Sequence, residues 1–307
     1  MSTTRRSRFR SDRGLTLRMS FTMFLIGLLY VVVIAAIIAK GASIGAVLVI
    51  AAIVLFCQYW FSDKMALFGM GARIVTPEQA PQLHGVVDRL CALADMPKPR
   101  VAIADVDVPN AFATGRNQDN AVVCVTTGIL RRLDVEELEG VLSHELSHVA
   151  HRDVAVMTFA SFLGMVAGLI TRFAFYSGMF GGFDNRDRNN NGAAAIAVIM
   201  LVSVLVYAVS FLLTRTLSRY RELSADRSGA LLTGRPSALA SALQKVSGVN
   251  ASIPTRDLRR AEAFNAFFFA PTKAKGFSIS SLFATHPSLD VRLRQLAKIS
   301  AELGQPV

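Results

Sequence analysis

Residues 134–151 read DVEELEGVLSHELSHVAH. Asp134 and Glu137 have the spacing of a capping box, in which each side chain accepts a hydrogen bond from the other residue's backbone at the start of a helix. Apolar residues then recur at helical spacing, as at Leu138 and Leu142. We therefore predict that this segment forms a helix.

The predicted helix carries the pattern His144-Glu145-Leu146-Ser147-His148. Residues four apart lie one turn apart on the same face, so the imidazoles of His144 and His148 can converge on one ion. Glu145 is placed to contact a water molecule rather than the metal. Two imidazoles, a carboxylate and an open fourth position are typical of catalytic Zn²⁺, which lowers the pKa of water to about 7. The alternative is a pair of surface or ion-paired histidines, since so short a pattern also occurs by chance.

A carboxylate that can complete the set lies in residues 218–226, which read SRYRELSAD. Glu222 and Asp226 are four apart and share one face of a predicted polar helix. Glu222 can take the third coordination position, and Asp226 can accept the free N–H of a ligand histidine and so fix its tautomer. Without the histidine pattern, an exposed acidic pair among arginines would be the better interpretation.

Composition limits the class of protein. Hydrophobic residues make up 52% of the 307 residues and charged residues only 18%, which excludes intrinsic disorder. Three cysteines cannot support a secreted disulfide scaffold, so we expect reduced thiols at Cys57, Cys91 and Cys124. The chain is therefore either a very apolar globular protein or a membrane protein with soluble parts.

The first 18 residues form a basic arm. Six arginines against one aspartate give residues 1–18 a net charge of +5. Such an arm could bind nucleic acid, but it runs directly into an apolar segment. This order favours the positive-inside flank of a membrane helix, and no nucleic-acid partner is expected.

Four uncharged apolar segments follow along the chain. Residues 19–39 and 42–62 are each long enough to cross a bilayer and are predicted to form a transmembrane hairpin. The first run is longer than the apolar core of a signal peptide. Residues 154–171 and 193–213 are predicted to form a second apolar hairpin, the alternative being a buried or partly inserted one.

The remaining residues form a soluble catalytic domain in two parts, 63–153 and 215–307. In the first part, Thr76-Pro77 is expected to start a helix, and His84 on that helix is expected to be solvated. Short strands are expected at residues 101–108, 111–114 and 121–126.

If both segments of the second hairpin cross the membrane, or neither does, His148 and Glu222 emerge on the same side. The basic arm places that side, with both chain termini, in the cytoplasm.

Five motifs in this order resemble the HtpX-type membrane metalloproteases, which are relatives of the CAAX prenyl proteases. The resemblance covers most of the chain from about residue 75 onward. The motifs are PNAFATG at 109–115, TGIL at 127–130, HELSH at 144–148, SRYRE with Ala225-Asp226 at 218–226, and THP at 285–287 with Arg292.

The resemblance implies an α-helical membrane protein with an α+β gluzincin-like metalloprotease domain, mainly helical with a small β-sheet. It implies one Zn²⁺ per chain, held by His144, His148 and Glu222. Glu145 would act as general base and later as proton donor. We expect a multi-pass protein of the bacterial plasma membrane, with the lipid bilayer and protein substrates as its partners.

The resemblance also assigns roles outside the metal ligands. The edge strand that holds the substrate backbone would contain Asn110, Ala111, Phe112 and Ala113. His286 and Arg292 would lie near the site and stabilise the developing oxyanion.

The implied function is a zinc metalloendopeptidase that cleaves misfolded or membrane proteins at the cytoplasmic face, in protein quality control and the stress response. Two alternatives stay open. One is a processing peptidase for a dedicated lipidated or membrane substrate, and the other is a catalytically silent metal-binding scaffold. Glu145 discriminates against the scaffold, because a pure binding site needs no base beside the water.

Overall fold

The structure is a computed structural model that describes residues 13–39, 59–153, 155–158, 191–252 and 286–305, with a few isolated positions among residues 49–57 and at 160. The helices are α1 Arg13–Ala39, α2 Ser62–Met70, α3 Pro81–Ala94, α4 Thr127–Leu130, α5 Val135–Ala150, α6 Asn191–Thr233, α7 Pro236–Ser252 and α8 Leu289–Glu302. The strands are β1 Ala72–Ile74, β2 Arg100–Ala104, β3 Ala111–Thr114 and β4 Val122–Thr126. The expected mainly helical fold with a small β-sheet is confirmed for these residues.

The four strands form one mixed sheet in the order β1-β2-β4-β3. The central pair β2–β4 is parallel, and the two outer pairs are antiparallel. Strand β2 ends at Ala104, earlier than expected, because the Val106 amide donates to the Ala104 carbonyl and turns the chain. Strand β3 lies at one edge of the sheet, beside α5.

The expected helix start at Thr76-Pro77 is wrong, because α3 begins at Pro81. Residues 76–80 instead form a turn, in which the Thr76 amide donates to Gln79 Oε1 at 3.0 Å and the Ala80 amide donates to the Thr76 carbonyl at 3.1 Å. The turn brings the chain back over the start of α3. As a result His84 is buried, with Nε2 3.1 Å from the Val75 carbonyl, rather than solvated.

The main hydrophobic core lies between the sheet and helices α3, α5, α7 and α8. Leu90, Val123, Leu142, Leu243 and Leu296 are fully buried within it. These side chains come from five different elements, so burial of the amphipathic faces joins residues 81–150 to residues 236–302.

Helix α6 lies against α5 along a tight seam. A Cβ atom at Gly229 would come within 2.9 Å of the His144 amide nitrogen and of Ser143 Oγ. The absence of a side chain at residue 229 therefore allows the backbone of α6 to approach α5 beside the first histidine of the motif.

Helix α6 also joins the expected apolar segment 193–213 to residues Glu222 and Asp226 without a break. No Gly or Pro occurs between residues 193 and 228 to end a helix. The domain boundary expected at 214–215 therefore falls inside a continuous helix.

One helix among the described residues, Met200–Thr233 within α6, is long and apolar enough to cross a membrane. Its exposed apolar side chains include Leu201 and Leu205. Helix α1 covers the first expected span, 19–39, and packs on α6 through Ile26 and Leu217. Most of the expected spans 42–62 and 154–171 lie outside the described residues.

Candidate metal centre

Helix α5 begins at the expected capping box. Asp134 Oδ1 accepts from the Glu137 amide at 2.9 Å, and Glu137 Oε2 accepts from the Asp134 amide at 3.1 Å. The helix then presents His144 and His148 on one face, with their Nε2 atoms 3.2 Å apart. The expected convergence of the two imidazoles is therefore present.

Helix α6 brings Glu222 to the same point. Its Oε1 lies 3.4 Å from His148 Nε2, and its Oε2 lies 3.6 Å from His144 Nε2. The three side chains form a group that could hold a metal ion. Ligand atoms that share one tetrahedral Zn²⁺ at about 2.0–2.2 Å lie roughly 3.3–3.6 Å apart, which agrees with the observed separations.

The protonation of the two histidines also fits a cation. His144 Nδ1 lies 2.9 Å from Asp226 Oδ1, and His148 Nδ1 lies 2.5 Å from Asp153 Oδ2. Because carboxylates accept, each Nδ1 is the donor in its contact, and a histidine that binds a metal would do so through the lone pair on Nε2. Two such lone pairs face each other and the Glu222 carboxylate. The donor set therefore fits one divalent ion that bridges them.

Arg292, on α8, contacts the carboxylate of Asp226, and its Nη2 lies 3.5 Å from His144 Nδ1. Its Nε and Nη2 donate to Asp226 Oδ2 and Oδ1 at 2.7 and 2.6 Å, and both side chains are fully buried. Two parallel hydrogen bonds fix the carboxylate in position. Arg292 Nη1 also lies 3.7 Å from Glu222 Oε2, so the structure places Arg292 near the metal group, and its expected role at a developing oxyanion stays a prediction.

His286 lies beside the third member of the group. Its Nδ1 is 2.8 Å from Glu222 Oε2, and its ring is only 7% exposed. Among the described residues, neither ring nitrogen has a partner in hydrogen-bond geometry. The buried ring therefore lies beside a member of the metal group.

Glu145 is held by the edge strand. The Ala113 amide donates to Glu145 Oε2 at 2.9 Å, so this N–H points away from β4, with which β3 pairs. Burial raises the pKa of Glu145, and the nearby His144 and His148 partly oppose the rise. A carboxyl group with a raised pKa is suited to taking up and returning a proton.

The other expected substrate residues occupy different positions around β3. The Thr126 amide donates to the Asn110 carbonyl, and the Asn110 amide donates to Thr126 Oγ1, on the β4 side. Phe112 is buried in a small apolar cluster with Cys124. Ala111 shares the orientation of Ala113, because side chains and amides alternate along a strand.

Comparison with known proteins agrees with this geometry. The family model for peptidase family M48 matches residues 77–300. The chain belongs to peptidase family M48. It is therefore a metalloprotease, and membership implies a bound metal ion, generally zinc.

Relatives of this M48 peptidase match nearly its whole length. It is 64% identical over 299 residues to Protease HtpX homolog 1 of Streptomyces coelicolor, with 97% of each chain covered. It is 54% identical over 296 residues to the Protease HtpX homolog of Moorella thermoacetica, covering 96% of this chain and 97% of that one. The crystal structure of S. mikatae Ste24p aligns with a TM-score of 0.53 at 16% identity, over 93% of this chain and 67% of that one. This last likeness shows the fold alone.

Two residues of the M48 peptidase's site were not singled out in the sequence. Asp153 contacts His148, and Arg221 contacts Asp153. Asp153 lies five residues after His148, a spacing that does not share a helical face, and Arg221 is one of several arginines near Glu222. The spacing of these residues in the sequence therefore does not indicate that either one lies at the site.

Proposed function

We propose that this M48 peptidase is a membrane-bound zinc endopeptidase that cleaves misfolded or membrane proteins at the cytoplasmic face of the bacterial plasma membrane, in protein quality control and the stress response. The observation that carries the proposal is the hydrogen bond from the Ala113 amide to Glu145. It joins the acid–base residue to the edge strand on which a substrate backbone can lie. Relatives named Protease HtpX homologs support the same activity.

His144, His148 and Glu222 would hold one Zn²⁺. A zinc ion bound there supplies Lewis acidity, which polarises a carbonyl oxygen and lowers the pKa of water. The Nδ1 contacts of both histidines keep their Nε2 atoms available as ligands.

Glu145 would move the proton. With Oε2 held by the Ala113 amide, Oε1 is the oxygen left to accept a proton from the attacking water. The same carboxyl group then donates that proton to the nitrogen of the leaving amine. Both transfers would therefore fall to the Glu145 side chain.

Strand β3 would bind the substrate. An extended peptide that adds to this edge would gain hydrogen bonds with outward-facing backbone groups such as the carbonyls of Ala111 and Ala113, since the Ala113 amide already donates to Glu145. A small cleft at the end of this strand is lined by Thr114, Gly115 and His148 among others. Backbone pairing makes few demands on side chains, so broad specificity towards unfolded segments is expected.

His286 would stabilise the oxyanion. Its buried ring lies next to Glu222, where a ring N–H can donate to the substrate carbonyl oxygen as negative charge develops on it. Arg292 would act through Asp226, which it holds against His144 Nδ1.

The membrane assignment rests on helix α6 and on the basic arm. Met200–Thr233 is apolar and long enough to span a bilayer, and the arginine-rich residues 1–18 favour a cytoplasmic start. With four spans, the catalytic domain and both termini lie in the cytoplasm. A reporter fused after residue 307 is expected to appear cytoplasmic, and a periplasmic signal would contradict this topology.

The proposed activity is tested with Glu145→Gln in the full-length protein, purified in detergent. We expect zinc content equal to that of the unmodified protein and a loss of casein and model-membrane-protein cleavage of roughly 10²–10⁴-fold. The matched control is Glu136→Gln on the same helix, at a side chain that is 63% exposed and paired with Arg235. This control should cleave normally.

Two other results would favour the alternatives. Zinc binding without cleavage of any substrate by the unmodified protein would indicate a silent scaffold. Cleavage of a lipidated peptide but not of casein would indicate a dedicated processing peptidase. Unchanged cleavage by Glu145→Gln would overturn the assigned role of this residue.

A further inference from the structure

The carboxylate of Asp153 contacts the second histidine of the site. Asp153 Oδ2 lies 2.5 Å from His148 Nδ1, and Asp153 is 4% exposed. A carboxylate can only accept, so the contact requires a proton on Nδ1 and leaves Nε2 free for a metal.

A buried arginine holds Asp153. Arg221 Nη2 lies 2.5 Å from Asp153 Oδ2, and Arg221 Nη1 donates to the backbone carbonyl of Asp153 at 2.8 Å. Arg221 therefore fixes both the side chain and the main chain of Asp153. A buried, doubly bonded ion pair of this kind restricts the carboxylate far more than a surface pair does.

The backbone turns sharply to make this contact. Helix α5 ends at Ala150, and Arg152 has a φ of 56°, in the left-handed region that a non-glycine residue seldom adopts. On a continued helix, residue 153 would point about 140° away from His148. The left-handed residue brings Asp153 back to the histidine, and the Arg221 contacts hold it there.

The same arrangement occurs at the first histidine. His144 Nδ1 contacts Asp226, which is held by Arg292. Helix α6 thus supplies Asp226, the carboxylate that contacts His144. It also supplies Arg221, the arginine that holds Asp153. Both ligand histidines are oriented by matched pairs, and α6 contributes to each.

We propose that Asp153 and Arg221 are positioning residues of the metal site, which hold His148 in the tautomer and orientation that bind Zn²⁺. This inference rests on the proposed function only in that the three-residue group is taken to bind zinc. Arg221 acts through Asp153, and Asp153 acts through His148.

The test measures zinc affinity rather than cleavage. Full-length protein in detergent is stripped of metal and titrated with Zn²⁺ in competition with a fluorescent chelator. Loss of a carboxylate behind a ligand histidine typically costs 10–100-fold in metal affinity, so we expect Asp153→Ala to raise the zinc Kd roughly 10–100-fold. The zinc Kd of Asp153→Asn should lie between those of the unmodified protein and Asp153→Ala, because the amide oxygen of Asn still accepts from His148 Nδ1. The control is Asp88→Asn, at a carboxylate that is 57% exposed and paired with Lys98, and it should leave the Kd unchanged.

A second readout reports the geometry of the site. In protein loaded with Co²⁺, the visible absorption bands depend on ligand geometry, and we expect them to shift in Asp153→Asn and in Arg221→Lys. If Asp153→Ala does not fold, as judged by circular dichroism of the metal-free protein, these two milder variants decide the question. If Asp153→Asn and Arg221→Lys both have the zinc Kd and the Co²⁺ spectrum of the unmodified protein, the inference is overturned.

The two proposals fail in different ways. If the unmodified protein binds no zinc, or if Glu145→Gln cleaves normally, the proposed function is wrong. If the unmodified protein binds zinc and cleaves, and Asp153→Asn and Arg221→Lys match it in affinity and spectrum, only the positioning role is wrong.

Discussion

Arg292 forms a bidentate pair with Asp226, with Nη2–Oδ1 and Nε–Oδ2 distances of 2.6 and 2.7 Å, and neither side chain is exposed to solvent. The pair connects α8 near the end of the chain to α6. Because Asp226 also contacts His144 Nδ1, the C-terminal helix helps to orient a metal ligand on α5.

Replacement of Arg292 tests this connection. In Arg292→Met the Asp226 carboxylate is left buried without its cation, which typically costs about 3–5 kcal/mol in the free energy of unfolding. We expect that loss in denaturant unfolding of the metal-free protein, together with weaker zinc binding. The control is Arg294→Met on the exposed face of α8, which should change the free energy by less than about 0.5 kcal/mol. Normal stability and zinc affinity in Arg292→Met would contradict the connection.

Gly229→Ala tests the tight seam between α5 and α6. The added Cβ would lie 2.9 Å from the His144 amide nitrogen, so α6 must move away from α5. We expect a loss of about 1–3 kcal/mol in the free energy of unfolding and weaker zinc binding, because Glu222 moves with α6.

Gly248→Ala provides the matched control on α7. Among the described residues, a Cβ there meets no atom within 4 Å, and Ala is favoured over Gly inside a helix by up to about 1 kcal/mol. This variant should be as stable as the unmodified protein or more so. Equal effects of the two substitutions would show that the seam is not tight.

Features set by local spacing could be predicted from the sequence. The capping box of Asp134 and Glu137, the i,i+4 pair of histidines and the i,i+4 pair of Glu222 and Asp226 each depend on residues within one or two helical turns. Helical geometry alone then fixes which side chains share a face. The convergence of α5 and α6 required only one further inference, that the two faces meet at a metal.

Contacts set by turns and by tertiary packing could not be predicted. Asp153 reaches His148 only because Arg152 adopts a left-handed conformation, and no residue type at position 152 indicates that turn. The burial of His84 depends on the closed turn of residues 76–80, which has the same Thr-Pro signature as a helix start. The bond from Ala113 to Glu145 joins residues 32 positions apart and involves a backbone amide, which has no sequence signal.

Trp60→Ala tests whether α2 and the residues before it support the edge strand. The Arg116 guanidinium lies 4.2 Å above the Trp60 ring, and the Tyr59 hydroxyl donates to the Arg116 carbonyl at 2.5 Å. Arg116 directly follows Gly115 at the end of β3. Cation–π contacts contribute about 0.5–2 kcal/mol, and we expect this free energy to be lost from substrate binding at the edge strand. KM for casein should therefore rise roughly 2–30-fold with kcat little changed. Trp60→Phe, which keeps a ring, should show a smaller rise, whereas a loss confined to kcat would contradict this support.

The buried thiols test the packing of the sheet and of α3. Burial raises the pKa of Cys91 to about 11 and that of Cys124 to about 12. Maleimides react with the thiolate, so in a Cys57→Ser background the native protein should remain unlabelled at pH 7.5, while the denatured protein takes up two labels by mass spectrometry. Both thiols ionise more easily in the unfolded chain, where the pKa is about 9. Their contribution to the free energy of unfolding is therefore full below pH 9 and decreases as the pH rises towards 11–12. Rapid native labelling at either cysteine would contradict the burial of that side chain, and with it the packing of β4 or α3.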